Sequence, residues 1–148
     1  RLRYFAARDC MDIEGLGDRL IDLLVSHGLV KNFRDLYALS VDQVAALPRM
    51  GKTSAKNLID QIANSKHRDL AQLLNAISIR HVGKRTAQIL AKRFESMDAI
   101  AAASLDELAN TSEVGEVIAK SVYDFVHSEA GSEVIEQLKA AGVNMRSH

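Results

Sequence analysis

The sequence predicts an all-α chain built from one recurring unit, two helices joined by a glycine turn. Three observations carry that expectation. Proline occurs once, at Pro48, and almost no stretch alternates β-branched with polar residues, so helices are rarely broken and strands are not built. Gly17, Gly51, Gly83 and Gly115 are separated by 34, 32 and 32 residues, and each follows an apolar residue, Leu16, Met50, Val82 and Val114. Finally, Ser40-Val-Asp-Gln-Val-Ala-Ala-Leu-Pro-Arg-Met-Gly51 aligns without a gap with Ser104-Leu-Asp-Glu-Leu-Ala-Asn-Thr-Ser-Glu-Val-Gly115, an offset of 64 residues. A unit of that length used twice, each copy holding two helix–turn–helix elements, accounts for all three.

Along the chain, residues 5–11 look helical. Residues 18–26 form an amphipathic helix through Leu20, Ile21, Leu24 and Val25, closed by Gly28 just past its end. Ser40 with Gln43, and Ser104 with Glu107, fit capping boxes that open short helices. Helices follow at 52–65, 84–93 and 116–126, and Ala55, Ala87 and Ala119 recur four residues after the last three repeat glycines. A last helix is predicted at 132–141, stopped by Gly142. A period near 32 also suits tetratricopeptide and ankyrin arrays. However, the chain has no tryptophan and nothing like Thr-Pro-Leu-His.

At 148 residues the chain is one domain or two small ones, long enough to bury a core. Its 47% apolar and 26% charged residues are ordinary for a globular protein. No apolar run nears the roughly 18 residues needed to cross a bilayer. The single cysteine, Cys10, leaves no internal disulfide, and a cytoplasmic setting is expected. Arg1 in place of a starting methionine suggests a piece of a longer protein. Formal net charge is zero, yet charge is unevenly spread. Arg49, Lys52 and Lys56 lie in an acid-free window between Asp42 and Asp60, and Arg80, Lys84, Arg85, Lys92 and Arg93 in another between Asp69 and Glu95. From Glu95 onward there are 10 acids against 3 bases. A basic middle beside an acidic last third suggests a surface that faces a polyanion.

The string Ile13-Glu-Gly-Leu-Gly17 carries two glycines one residue apart. A dinucleotide fingerprint would need a strand before it and a third glycine at position 20, where Leu20 stands. The pattern fits instead a turn that presents backbone amides to a phosphate. Gly15 is expected to take a positive φ there. Gly17 has no side chain to hold a phosphate away, and the next helix offers free first-turn amides at the positive end of its dipole. Ile13 and Leu16 should tuck underneath and fix the angle between the helices.

Ile-Glu-Gly-Leu-Gly resembles the helix-hairpin-helix motif, which grips the DNA backbone across the minor groove without reading sequence. Three longer strings are more specific: Phe5-Ala-Ala-Arg-Asp-Cys-Met-Asp-Ile-Glu-Gly-Leu-Gly-Asp-Arg-Leu20, Arg49-Met-Gly-Lys-Thr-Ser-Ala-Lys-Asn-Leu58 and Ile77-Ser-Ile-Arg-His-Val-Gly-Lys-Arg-Thr-Ala87. Together they are similar to the helix-hairpin-helix domain of bacterial NAD-dependent DNA ligases, over essentially the whole chain. The resemblance implies tandem helix-hairpin-helix repeats, four hairpins grouped as two pairs, residues 1–66 and residues 67–148 with the C-terminal helix. In that family the domain follows a zinc finger, precedes a BRCT domain and helps the enzyme encircle nicked DNA. What is implied here is a non-catalytic, sequence-independent binder of double-stranded DNA. It would be monomeric, cytoplasmic and nucleoid-associated, and would work beside adenylation, OB, zinc-finger and BRCT domains in replication and repair.

Carried over hairpin by hairpin, the resemblance assigns DNA contact to Gly15, Leu16, Gly17 and Arg19 in the first. It assigns Arg49, Gly51, Lys52 and Thr53 in the second, and Arg80, His81, Gly83, Lys84, Arg85 and Thr86 in the third. In the fourth it assigns Gly115, which stands between Glu113 and Glu116 with no cation beside it, so that hairpin is expected to be largely structural. The first departs from the pattern by placing Asp18 directly after Gly17. The second and third, carrying most positive charge, should bind phosphate best, since each neutralised phosphate adds affinity and salt dependence.

The family's nucleophilic lysine sits in a Lys-x-Asp-Gly type motif that this chain lacks; Lys52 is followed by Thr-Ser and Lys84 by Arg-Thr. No catalytic, cofactor or metal residue is assigned, and NAD, Mg2+ and a structural Zn2+ are implied for the parent enzyme alone. Cys10 by itself cannot build a zinc site and is expected to be a small buried side chain. His27, His67, His127 and His148 lack ligand spacing and are expected at the surface, whereas His81 lies within a hairpin. Tyr37, Phe94, Tyr123 and Phe125 fit core positions better than base-stacking platforms, and Asp98, Asp106 and Asp124 fit solvated helix faces. A helix-hairpin-helix glycosylase would need a Gly/Pro-rich loop that a chain with one proline cannot supply. A tandem module of a nuclease or junction-binding protein, and a protein-binding helical repeat, stay open.

Overall fold

The computed structural model describes residues 2–148. The all-α expectation holds: among the described residues the β pairing is one isolated bridge, between Ser96 and Arg146. The first five helices are α1 (Leu2–Phe5), α2 (Asp18–Ser26), α3 (Phe33–Ala38), α4 (Val41–Ala45) and α5 (Lys52–Ser65). The next five repeat their order: α6 (Leu70–Ala76), α7 (Lys84–Phe94), α8 (Met97–Ala102), α9 (Leu105–Ala109) and α10 (Gly115–His127). Then α11 (Glu129–Ala140) and a C-terminal tail close the chain.

The short helices are placed by local hydrogen bonds. The Ser40–Gln43 and Ser104–Glu107 capping boxes form on α4 and α9, and the Ser104 amide holds the Glu107 carboxyl below the usual carboxylate range. Three short helices were not predicted, α3, α6 and α8, and each has a polar cap: Asn32, Asp69 and Ser96. Asn32 and Ser96 stand 64 residues apart, so the repeat extends to these connectors as well. Gly28 does end α2, with a φ of 70°.

Two helix expectations need correction. Residues 5–11 are not a helix: α1 stops at Phe5 and the chain winds through turns to Met11. The Phe5, Ala6 and Ala7 carbonyls accept from turn amides, and those of Arg8, Asp9 and Cys10 are taken by side chains from the other half of the molecule. Arg68 donates through Nε to the Cys10 carbonyl (3.0 Å) and through Nη2 to that of Arg8 (3.1 Å), and Asn75 donates to that of Asp9 (3.4 Å). The last helix begins at Glu129, three residues before its predicted start. Ser128 makes the joint by donating to the Phe125 carbonyl (2.8 Å) and accepting from the Gly131 amide (2.9 Å). Gly131 must be glycine, since a Cβ there would run into the Phe125 carbonyl.

A continuous apolar core runs through both halves, holding Phe5, Leu24, Leu36, Leu73, Leu90 and Ile100. Cys10 is buried as expected, and burial pushes its thiol pKa up. Helix α3 packs on both α5 and α11, so the last helix of the chain braces the first repeat. The tail stitches two junctions together. The Asn144 amide donates to the Lys66 carbonyl (2.8 Å), Met97 to Met145 (2.9 Å) and Ser147 to Glu95 (2.8 Å).

Candidate nucleic-acid interface

Each hairpin turn is closed by the same hydrogen bond, from the amide of its second apolar residue to the carbonyl three residues back. The pairs are Leu16 to Ile13 (3.0 Å), Met50 to Leu47 (3.1 Å), Val82 to Ile79 (3.0 Å) and Val114 to Thr111 (3.1 Å). Ile13 and Leu16 lie buried beneath the turn, as expected. Leu16 is thereby committed to the protein through both its side chain and its amide.

The helices that leave the four turns, α2, α5, α7 and α10, all lack a side-chain cap, and the first three of them start at an extended glycine. Gly17 (φ −84°, ψ 176°), Gly51 (−114°, 174°) and Gly83 (−105°, −164°) are extended N-cap residues of α2, α5 and α7, and no side chain caps any of these helices. By contrast α3, α4, α6, α8, α9 and α11 all carry an Asn, Ser or Asp cap. The first intrahelical bonds come from Ile21, Ala55 and Ala87. The amides of residues 18–20, 52–54 and 84–86 therefore have no partner within their helices. A Cβ on Gly17, Gly51 or Gly83 would meet nothing within 4 Å, so the approach is open. Arg19, Arg49, Lys52, Thr53, Arg80, His81, Lys84 and Arg85 are exposed around these ends, and Thr86 is half-buried.

Two turns depart from the expected form. Gly15 does not adopt a positive φ; it is Arg49 (64°), His81 (69°) and Glu113 (67°), at the matching positions of the other turns, that do. The reason lies in packing. The Gly15 amide donates to Gln61 Oε1 on α5 at 2.6 Å, and a Cβ would stand 2.8 Å from that oxygen and 3.3 Å from Leu58 Cδ1. Close approach, not handedness, demands this glycine. The fourth turn differs in the opposite sense: Gly115 is left-handed (φ 70°) and begins α10 behind Val114. The extended-glycine arrangement is thus shared by three hairpins.

Ion pairs redistribute the charge read from sequence. Asp18, at the start of α2, is paired with Arg3 at 2.6 Å, a partner whose separation of 15 positions hides it from any local pattern. Lys84 lies 3.5 Å from Asp9. Arg85 grips Glu113 through Nε–Oε1 (3.1 Å), Nη2–Oε1 (2.9 Å) and Nη2–Oε2 (2.8 Å). Among the described residues, Arg49 and Lys52 form no ion pair. The second hairpin is thus electrostatically open and the third is opposed by carboxylates. A groove of about 530 Å3 joins the first two hairpins, with Gly15, Gly17, Arg19, Arg49 and Gln61 in its walls. The third and fourth hairpins meet through Arg85 and Glu113.

His27, His67, His127 and His148 are exposed, and among the described residues no three His, Cys, Asp or Glu side chains cluster to hold a metal. Among the described residues no helix is long and apolar enough to cross a membrane.

Residues 7–64 match the family model described as a SAM-like helix-hairpin-helix tandem, and residues 72–135 match that of the helix-hairpin-helix motif. The chain is 46% identical over 140 residues to the DNA ligase of Trichlorobacter lovleyi, covering 95% of this chain and 20% of that protein. It is 47% identical over 143 residues to the DNA ligase of Pelotomaculum thermopropionicum (97% and 21%), and 42% identical over 143 residues to that of Koribacter versatilis (97% and 21%). The chain spans about a fifth of the length of these relatives.

Proposed function

The chain belongs to the helix-hairpin-helix family, and from that membership we propose that it is a non-catalytic, sequence-independent double-stranded DNA-binding part of an NAD-dependent DNA ligase. That parent enzyme seals nicks in replication and repair. The observation that carries the reading is the contrast in caps: α2, α5 and α7 begin at extended glycines with no side-chain cap, while the connecting helices are capped. A backbone phosphate oxygen can accept from first-turn amides at each such end, favoured by the helix dipole. Arg19, Arg49, Lys52, Lys84 and Arg85 add charge beside them. Contacts of this kind position a protein on the duplex without reading bases.

In this reading the two hairpin pairs, residues 1–66 and 67–148, act in one monomeric, cytoplasmic unit, with the fourth hairpin mainly structural. Adenylate transfer, with NAD, Mg2+ and a structural Zn2+, belongs to the parent's adenylation, OB and zinc-finger domains, with a BRCT domain beyond. The residues of this chain do not fit those groups: Cys10 is a lone buried thiol, and no lysine stands in a Lys-x-Asp-Gly string.

The test is a salt titration of this chain against two duplexes of unrelated sequence. Equal affinities are expected, with log K falling linearly against log salt by about 0.9 per phosphate neutralised. A marked preference for one sequence would overturn sequence independence, and no binding at low salt would overturn the reading altogether.

A further inference from the structure

We infer that Glu113 is an internal competitor for phosphate at the third hairpin, its carboxylate holding the Arg85 guanidinium that a DNA phosphate would otherwise take. The inference rests on the DNA-binding reading above and goes beyond it by assigning the fourth hairpin a role. Arg85 is the second residue of α7, beside that helix's uncapped amides. A guanidinium offers parallel N–H donors that suit a carboxylate and a phosphate equally well, so one site serves either anion. Glu113 fills it with three hydrogen bonds of 2.8 to 3.1 Å.

The position of Glu113 is specific. It stands two residues before its repeat glycine and is left-handed there, as Arg49 and His81 are at the matching positions of their turns and Gly15 is not. The fourth turn alone places an acid there, and it does so where left-handed Gly115 breaks the extended-glycine arrangement. The hairpin least suited to hold a phosphate thus supplies a phosphate-like group to its neighbour.

Both partners are exposed, with 74% and 52% of their side-chain areas open to solvent, so the pair is screened and displaceable. Glu113 therefore tunes the third hairpin instead of blocking it. DNA that takes Arg85 must first release the carboxylate, and Arg85 exchanges one anion for another with little net counterion release.

Glu113→Gln keeps the size and removes the charge. Glu113→Asn, which suits a left-handed φ better, serves as a second variant with the same expectation. Each variant is titrated as the full chain against a duplex, alongside thermal melts. Expected is a roughly two- to fivefold tightening at low salt, with a salt slope steeper by about 0.9. In an Arg85→Gln background the same change at 113 should have almost no effect. Unchanged or weaker binding by both variants would overturn the inference, because a carboxylate that merely orients Arg85 predicts weakening. So would a gain that persists without Arg85, which would mark general charge repulsion. Failure of the unaltered chain to bind duplex would instead remove the DNA-binding reading on which the inference stands.

Discussion

The backbone nitrogen of Gly15 lies 2.6 Å from Gln61 Oε1, a hydrogen bond that ties the first hairpin to the long helix of the second. This contact separates two glycines that the sequence makes look alike. Gly15→Ala would push a Cβ against Gln61 and Leu58 and disturb that bond. It is expected to cost about 1–2 kcal/mol of stability, seen as a lower Tm. Gly17→Ala meets open space at an ordinary φ of −84° and should leave Tm nearly unchanged while weakening duplex binding. If Gly17→Ala bound duplex like the unaltered chain, the close-approach argument would fail.

Charge at the two basic hairpins should be separable by salt dependence. Lys52→Ala removes a cation that has no carboxylate partner, so the slope of log K against log salt should shrink by about 0.9, equally for unrelated sequences. Lys84→Glu with Arg85→Glu also leaves Asp9 and Glu113 unpaired and turns the third hairpin acidic. A loss of roughly tenfold or more at low salt is expected for that double variant. A slope identical to that of the unaltered chain in either case would contradict the assignment.

The α10–α11 joint should be the least tolerant glycine site. Gly131→Ala forces the two helices apart at the Phe125 carbonyl and should cost about 2 kcal/mol or more. Ser128→Ala, which loses a cap, should cost about 1 kcal/mol. Chemical denaturation of the two variants would show this ranking, and Gly131→Ala as stable as the unaltered chain would contradict it.

Tyr37 gives the fold an alkaline signature. Its hydroxyl is bonded to Ser65 Oγ at 2.7 Å, and burial pushes its pKa from 10.0 up to about 12. A group with a raised folded-state pKa contributes stability that is whole below the unfolded value and is lost as pH climbs through the folded one. Stability should therefore fall between pH 10 and about 12 by on the order of 2 kcal/mol from this residue. Denaturation midpoints measured against pH should show a shallower loss for Tyr37→Phe, and parallel curves would refute the role.

How much of this was legible in the sequence depended on the range of the interactions. Capping boxes act over three residues and the turn glycines recur at register, so Ser40, Ser104, Gly17, Gly51 and Gly83 announced the helix starts. Asp69 with Gln72 is the same kind of box, and the same local rule could have revealed α6. The helices α3 and α8 are six residues each, too short for periodicity to declare, though their caps repeat at the 64-residue offset. Residues 5–11 carry a helical pattern that Arg68 and Asn75 override from some 60 residues away. The true role of Gly15 and the pairings of Arg3, Lys84 and Arg85 are likewise tertiary, and nothing local encodes them. Charge windows located the basic hairpins but could not show that Glu113 and Asp9 oppose the third.

The helix ends that begin at extended glycines are the phosphate sites in this reading, and amide chemical shifts on adding duplex DNA test that most directly. Large shifts are expected for the first-turn amides at residues 18–20, 52–54 and 84–86, with little change at the capped starts of α3, α4, α8 and α9. Shifts confined to the capped helices, α11 among them, with those three ends silent, would contradict it.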